Sequence, residues 1–279
     1  MTALGKYHHL KVVEQLERGF YLLLDDKKVL LPKNCVRQPI NLGDIVKIFL
    51  YKDSEDRLIA TQETPAGEVG QFVFLKVKQT NSVGAFLDWG LQKDLLVPFS
   101  EQEKTLYAGD ECVAVIVHDK KSDRLIGVTK LKTFFRRFIE LQENQKVQLL
   151  VYRITDIGYL CVIDNAYSGL LYKNEVKEKL NIGDRREGYV KKLREDGKID
   201  LSLQPLGYNQ DFMSVQAAKI VEMLKKSEGF LPYHDKSQAK DIEEVFQMSK
   251  NQFKKVIGFL YKQKKIALED KGIRLTAKS

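Results

Sequence analysis

Three stretches of this 279-residue chain repeat one order of events. Each opens at a glycine (Gly19, Gly84, Gly158) that leads an apolar run: GFYLLL, GAFLDW, GYLCVI. A second short apolar run follows. Then come Gly43-Asp44, Gly109-Asp110 and Gly183-Asp184, which lie 24, 25 and 25 residues after their opening glycines. A longer apolar run, a charged turn and a last short run complete each copy. Matched internal spacing three times over restricts the chain to a tandem array of one small unit. From Gly19 to Gly84 is 65 residues, a marginal size for an independent core, so neighbouring copies are expected to lean on each other.

The first copy shows what the unit is. His9–Leu16, Phe20–Asp25, Val29–Pro32, Ile45–Tyr51 and Arg57–Thr61 read as five short strands, the fourth alternating apolar and polar residues, with turns at Arg18-Gly19, Asp25–Lys28 and Asp53–Asp56. A flat sheet of that size leaves too much edge backbone unpaired, and closure into a barrel removes the edges. The pattern therefore divides the chain into barrel one (1–64), barrel two (65–130), a connecting amphipathic helix or packed strut (131–144) and barrel three (145–204).

From residue 205 the period changes. Met213, Ala217, Ile220 and Leu224 fall at helical spacing and predict a helix over 211–226. Ser237 is a candidate cap for a second helix carrying Ile242, Val245 and Phe246. Ser249 is a candidate cap for a third, with Phe253, Val256, Ile257 and Leu260 on one face and Asn251, Lys255, Gly258 and Lys262 on the other, Lys254 at its edge. Lys264–Leu268 and Gly272–Thr276 then flank a Glu269-Asp270-Lys271 turn as a hairpin. Helix, helix, turn, helix, hairpin is a winged helix-turn-helix, residues 205–279. The expected fold class is multidomain and mainly β, three five-stranded barrels with a C-terminal α+β part.

Charge is uneven along this frame. Residues 1–64 carry 10 Lys+Arg against 9 Asp+Glu, 65–130 carry 8 against 9, 131–204 carry 14 against 11, and 205–279 carry 14 against 9. The net +8 thus sits almost wholly in the second half, where a phosphate backbone would be drawn first; a solvated lysine surface is the alternative. No long apolar run suggests a signal peptide or membrane span. Cys35, Cys112 and Cys161 have no pairing pattern and read as buried thiols of a reducing cytoplasm. His8, His9, His118 and His234 lack partners at metal spacing, and there is no phosphate-loop or nucleophile-elbow motif. Asp119 and Asp123 read as turn residues rather than metal ligands. No catalytic residue, cofactor or metal is assigned, and an enzyme is the least favoured class.

Gly84-Ala85-Phe86-Leu87, Leu96–Ser100 and the closing Asp196–Leu203 resemble the S1 domain, an RNA-binding barrel of the oligonucleotide-binding class. Three such barrels followed by a winged helix resemble the conserved virulence factor B family of bacterial RNA-binding proteins. The resemblance implies single-stranded RNA across the second and third strands of a barrel, with stacking aromatics and a basic residue near the fifth. Tyr21 and Phe86 occupy the stacking position, whereas the third copy has Leu160 there with Tyr159 adjacent. The third-strand position is Pro32, Pro98 and Tyr172, and the basic position Arg57, Arg124 and Lys198.

Stacking faces and positive charge coincide best in barrel three, where Lys191-Lys192-Leu193-Arg194 is the densest basic run of any barrel. Lysines shielding a sheet edge would look the same. The candidate RNA-binding residues are Tyr159, Tyr172, Lys191, Lys192, Arg194, Lys198, Phe86 and Arg124. In the winged helix they are Asn251, Lys254, Lys255, Lys262, Lys264, Lys265 and Arg274, suited to phosphates, with Asn251 the base-edge candidate. Barrels one and two read as scaffold. The expectation is a cytoplasmic expression regulator, linked to virulence through the family, whose partner is single-stranded RNA. A duplex-DNA transcription regulator and a ribosome- or protein-docking adaptor are the alternatives.

Overall fold

The computed structural model describes residues 3–205 and 208–276, and of 208–212 the backbone alone. Barrel one consists of β1 (Tyr7–Leu16), β2 (Gly19–Leu24), β3 (Lys27–Pro32), β4 (Ile45–Lys52) and β5 (Leu58–Thr61). Barrel two consists of β6 (Phe72–Asn81), β7 (Gly84–Asp88), β8 (Leu95–Pro98), β9 (Glu111–Asp119) and β10 (Arg124–Val128). Barrel three consists of β11 (Lys146–Ile154), β12 (Gly158–Ile163), β13 (Tyr167–Tyr172), β14 (Arg185–Leu193) and β15 (Ile199–Ser202). Each sheet closes in the cyclic order first, second, third, fifth, fourth. Third and fifth strands pair in parallel; the other pairs are antiparallel.

The repeated glycines have a geometric cause. A Cβ on Gly19, Gly84 or Gly158 would lie 2.2–2.3 Å from the carbonyl oxygen of Leu31, Val97 or Leu171 on the adjacent strand, so only hydrogen fits. The Gly-Asp pairs answer a bulge in the first strand of each barrel, at Val12/Glu14, Val77/Gln79 and Val151/Arg153. Val12, Val77 and Val151 accept from the amides of Gly43, Gly109 and Gly183 at 2.8–2.9 Å and donate to the carbonyls of Asp44, Asp110 and Asp184 at 2.8–2.9 Å. The glycines adopt φ of +91 to +93°, which a side chain would strain.

Alternation fails most extensively in the fourth strands of barrels one and two, and these failures mark where barrels meet. The fourth strand was expected to alternate, yet Ile48–Tyr51 are all buried. Ile48 and Leu50 fill barrel one, while Phe49 and Tyr51 point out of it into the core of barrel two. Phe49 meets Tyr7 edge-on at 5.3 Å and Trp89 at 5.8 Å. Likewise Cys112–Ile116 are all buried: Cys112, Ala114 and Ile116 inside barrel two, Val113 and Val115 outside it against Leu150 and Val162 of barrel three. Asn165, on the turn between β12 and β13, acts there as a peptide mimic, accepting from the Phe72 amide at 2.7 Å and donating to the Gly70 carbonyl at 3.2 Å. Arg153 of barrel three pairs with Glu103 of barrel two. The three barrels thus form one unit, Met1–Leu203, and lean on each other as the short repeat demands.

Residues 131–144 hold no α-helix. A single 3-10 turn, Leu131–Phe134, leads into chain that is neither helix nor strand, so it is a strut rather than a helix. Phe135 stacks on Phe72 at 5.1 Å, and Ile139 and Leu141 pack on barrel three.

The second unit, Gln204–Ser279, contains α1 (Tyr208–Lys226), β16 (Phe230–Leu231), α2 (Ala239–Phe246), α3 (Lys250–Lys262), β17 (Ile266–Glu269) and β18 (Gly272–Leu275), with strand order β16-β18-β17. Its core gathers Ile220, Leu224, Ile242, Phe253, Val256, Leu260 and Ile273. Ser249 caps α3 in a reciprocal box with Gln252. Ser237 does not cap α2; Gln238 holds that position, and the Ser237 hydroxyl accepts from the His234 amide instead.

Trp89, the single tryptophan, is 3% exposed at the seam of barrels one and two and reports on it. Phe49→Ala should lower stability by about 3–5 kcal/mol and red-shift Trp89 emission before unfolding; an unshifted emission would mean the seam survives without the ring. Hydrogen bonding to Arg124 holds the Asp56 carboxyl below its ordinary range, and hydrogen bonding to Lys52 and His118 does the same for Asp123. A lowered folded pKa stabilises above the ordinary carboxylate value of ~4 and is lost as pH falls through the folded values. The urea-midpoint gap between wild type and Arg124→Ala should therefore be present at pH 7 and close below about pH 4.

Candidate nucleic-acid interface

In barrel three the strand period decides which aromatic is offered. Tyr159, Cys161 and Ile163 turn into the core, and Gly158 and Leu160, one step out of phase, turn out. Tyr159 is 5% exposed and its hydroxyl accepts from the Leu180 amide, so its ring is a core member and no stacking face. Tyr172 is different. It ends β13 opposite Gly158, half-buried, and forms an outward ledge with Leu170 and Leu160. Its hydroxyl accepts from Arg194, whose Nε donates to Asp200 at 2.9 Å. The buried Asp200 carboxylate raises the Arg194 guanidinium above its ordinary value and fixes it beside the ring.

The lysines around that ledge are mostly engaged. Lys191 occupies a bulge in β14 and pairs with Glu175; Lys198 pairs with Asp196 at 2.7 Å. Lys192 is exposed and has no acidic partner among the described residues. In barrel two Phe86 faces outward, half-buried, into a groove of about 400 Å³ that also touches barrel one, lined by Gln79, Trp89, Lys93, Leu96 and Arg124. Arg124 makes two bonds to Asp56 of barrel one, Lys93 lies 3.6 Å from the same carboxylate, and Lys52 pairs with Asp123 at 2.5 Å. The cations of this groove bind the barrels to each other. In barrel one, Arg57 is held by Asp53 and Glu55, and Lys28 by Glu14 with its ammonium 5.7 Å from the Tyr21 ring.

Most of the candidate cations of the winged helix are free of ion pairs. Asn251, Lys254, Lys255 and Lys262 are exposed on α3, and Lys264 and Lys265 on the turn into β17; among the described residues none of these lysines has an acidic partner. Arg274 is the exception, bonded to Glu269 at 2.7 Å with its guanidinium 4.8 Å from the Phe230 ring. Sequence reading passed over Tyr261, which is 55% exposed. Three residues past Gly258 and seven past Lys254, it lies on the same outer face, so a helical wheel would have found it. A Cβ on Gly258 would meet open space, so packing does not demand the glycine.

The three thiols are buried and free of disulfides. Burial pushes Cys112 up to about 11 and Cys161 up to about 12, which keeps both protonated. Asp119 closes its turn by accepting from the Lys121 and Ser122 amides, as a turn residue does. Among the described residues no helix is long and apolar enough to cross a membrane.

Comparison with known proteins agrees with this geometry. Residues 4–63 match the S1 domain, 131–205 the second domain of virulence regulatory factor CvfB, and 218–275 the CvfB-like winged helix domain. The chain is 30% identical to conserved virulence factor B of Staphylococcus epidermidis, over 98% of this chain and 95% of the relative. It is 29% identical to the Bacillus subtilis protein YitL, over 95% of this chain and 91% of the relative. A crystal structure of a Streptococcus pneumoniae multidomain protein with nucleic acid binding domains is 26% identical and covers 99% of both chains, at a TM-score of 0.44. S1 and winged helix domains are nucleic-acid-binding types rather than enzyme types, and with three closed barrels ahead of such a domain this chain belongs to the conserved virulence factor B family of regulatory proteins.

Proposed function

We propose that the chain is a cytoplasmic post-transcriptional regulator that binds single-stranded RNA. The observation that carries this reading is the contrast in how its cations are used. The five lysines Lys254, Lys255, Lys262, Lys264 and Lys265 stand exposed without acidic partners among the described residues, while most basic candidates of the barrels are spent on ion pairs. Unpaired lysines attract phosphate without reading sequence. Tyr261 on the same helix face and Tyr172 beside the fixed Arg194 offer rings to unstacked bases, which a duplex does not present. The S1 match over 4–63 and relatives named for virulence support RNA and regulation of expression.

Asn251, exposed in the first turn of α3, favours a second reading: a transcription regulator that reads duplex DNA with this helix. Fluorescence anisotropy of the full chain with a labelled 15–20-nucleotide single-stranded RNA, competed by duplex DNA, separates the two. RNA should bind with an affinity that falls steeply with salt, and Lys254→Ala/Lys255→Ala should flatten the log–log salt slope by about 1.4. A duplex of defined sequence that competes better than RNA overturns the proposal.

Tyr172→Ala should weaken RNA binding about five- to a hundredfold and more than Phe86→Ala does, because the cations near Phe86 are engaged between barrels. A larger loss from Phe86→Ala would make the groove of barrels one and two the main site. Gly258→Ala should raise the stability of the winged helix by about 1 kcal/mol. If RNA affinity falls as the melting temperature rises, the glycine serves close approach of the ligand; if affinity holds, it is a tolerated helix residue.

A further inference from the structure

Half of the strut that the sequence offers as the alternative to a helix, within 131–144, is a packing element. Leu131 is buried, Phe135 lies between Phe72 and Tyr152 at 5.1 and 5.8 Å, Ile139 packs on the core of barrel three and Leu141 is buried. The backbone is pinned as well: the Arg136 amide donates to the Ala166 carbonyl at 2.8 Å and the Glu140 amide to the Tyr167 hydroxyl at 3.3 Å. Between these anchors Lys132, Phe134, Arg136, Arg137 and Phe138 all face solvent. Phe138 is 87% exposed, the most exposed of the large hydrophobic side chains among the described residues.

A phenyl ring left in water on pinned backbone has no packing reason. Phe135, three residues away, shows that the strut can bury a ring where the fold needs one. The neighbours of Phe138 are cationic. Arg136 touches Glu140 only at 3.4 Å, and Arg137 and Lys132 have no acidic partner among the described residues. Arg57, Arg124, Arg153 and Arg194 of the barrels are by contrast each tied to a carboxylate. Two exposed rings set among three cations, on a backbone hydrogen-bonded to barrel three at Arg136 and Glu140, are what a sequence-tolerant single-stranded ligand requires: π faces for bases and charge for the phosphates. Phe134 and Phe138 are four residues apart, so at most roughly 14 Å of chain separates them.

We infer that the strut is a nucleic-acid contact in its own right, in which Phe138, with Phe134, stacks bases of a single strand and Arg137, Lys132 and Arg136 hold its phosphates. This rests on the proposed single-stranded RNA reading and adds a site that neither a barrel face nor the winged helix supplies. A protein ligand would need apolar area to cover, and the strut instead offers two rings set among three cations, which favours the nucleic acid.

The test uses the full chain and a fluorescein-labelled 12-nucleotide oligouridine. Phe138→Ala should leave the melting temperature unchanged, because the ring touches little, and weaken binding between roughly fivefold and a hundredfold. Arg137→Ala should flatten the log–log salt slope by about 0.7. With 4-thiouridine in the oligonucleotide, ultraviolet crosslinks should map to the peptide spanning 134–138. Wild-type binding with both variants within twofold of it, and no crosslink there, overturns the strut while leaving the RNA reading intact; the same pattern is the one expected if the strut serves a protein. A wild-type chain that binds no oligouridine at all overturns both.

Discussion

Each barrel depends on one pair of backbone hydrogen bonds, exchanged between a bulged valine in its first strand and a Gly-Asp turn that enters its fourth. A small barrel must bend its first strand sharply to touch both neighbours, and the bulge supplies the bend at the cost of a disrupted ladder. The Gly-Asp turn repairs the disruption by bonding both backbone groups of the valine. Only glycine holds the required φ without strain, and the Asp44, Asp110 and Asp184 carboxylates steady the turn by accepting from the amides of Asn41, Tyr107 and Asn181. The most regular feature of the sequence is thus the imprint of barrel closure.

Units this small leave apolar surface over, and the chain uses it twice. Phe49 and Tyr51 enter barrel two, and Val113 and Val115 meet barrel three. Charge follows the same logic. Arg124 and Arg153 are tied to carboxylates of the adjoining barrel, so these two arginines act as fasteners. In the winged helix a compact core of its own leaves the lysines nothing to fasten. A count of charges by segment finds where the surplus lies but says nothing about which cations are occupied; that depends on partners distant in sequence, such as Asp56 for Arg124 at a separation of 68 residues.

Much of the fold was legible because it rests on local signals: paired turn glycines, short apolar runs, and the Ser249–Gln252 cap of the third helix. Individual site residues were less so. Tyr159 drew attention as an aromatic beside the family position, but a one-residue step in a strand exchanges inside for outside, and the ring fills the core. Ile48–Tyr51 departed from alternation in plain view, yet a strand buried on both faces reads the same as a more apolar strand until its second neighbour is known. Tyr261 and Phe138 could have been noted from their cationic neighbours; their exposure could not, because it reflects what fails to pack over them.

The seams change what tandem binding domains can do. Modules strung on loose linkers adapt their spacing to whatever they grip, and their joint affinity tracks linker length. Barrels joined through Phe49, Asn165 and Phe135 have no such slack. The distance between any two points along the row is set by the protein, so the row has the character of a ruler: a ligand that touched two of its barrels would gain the second contact almost without further ordering.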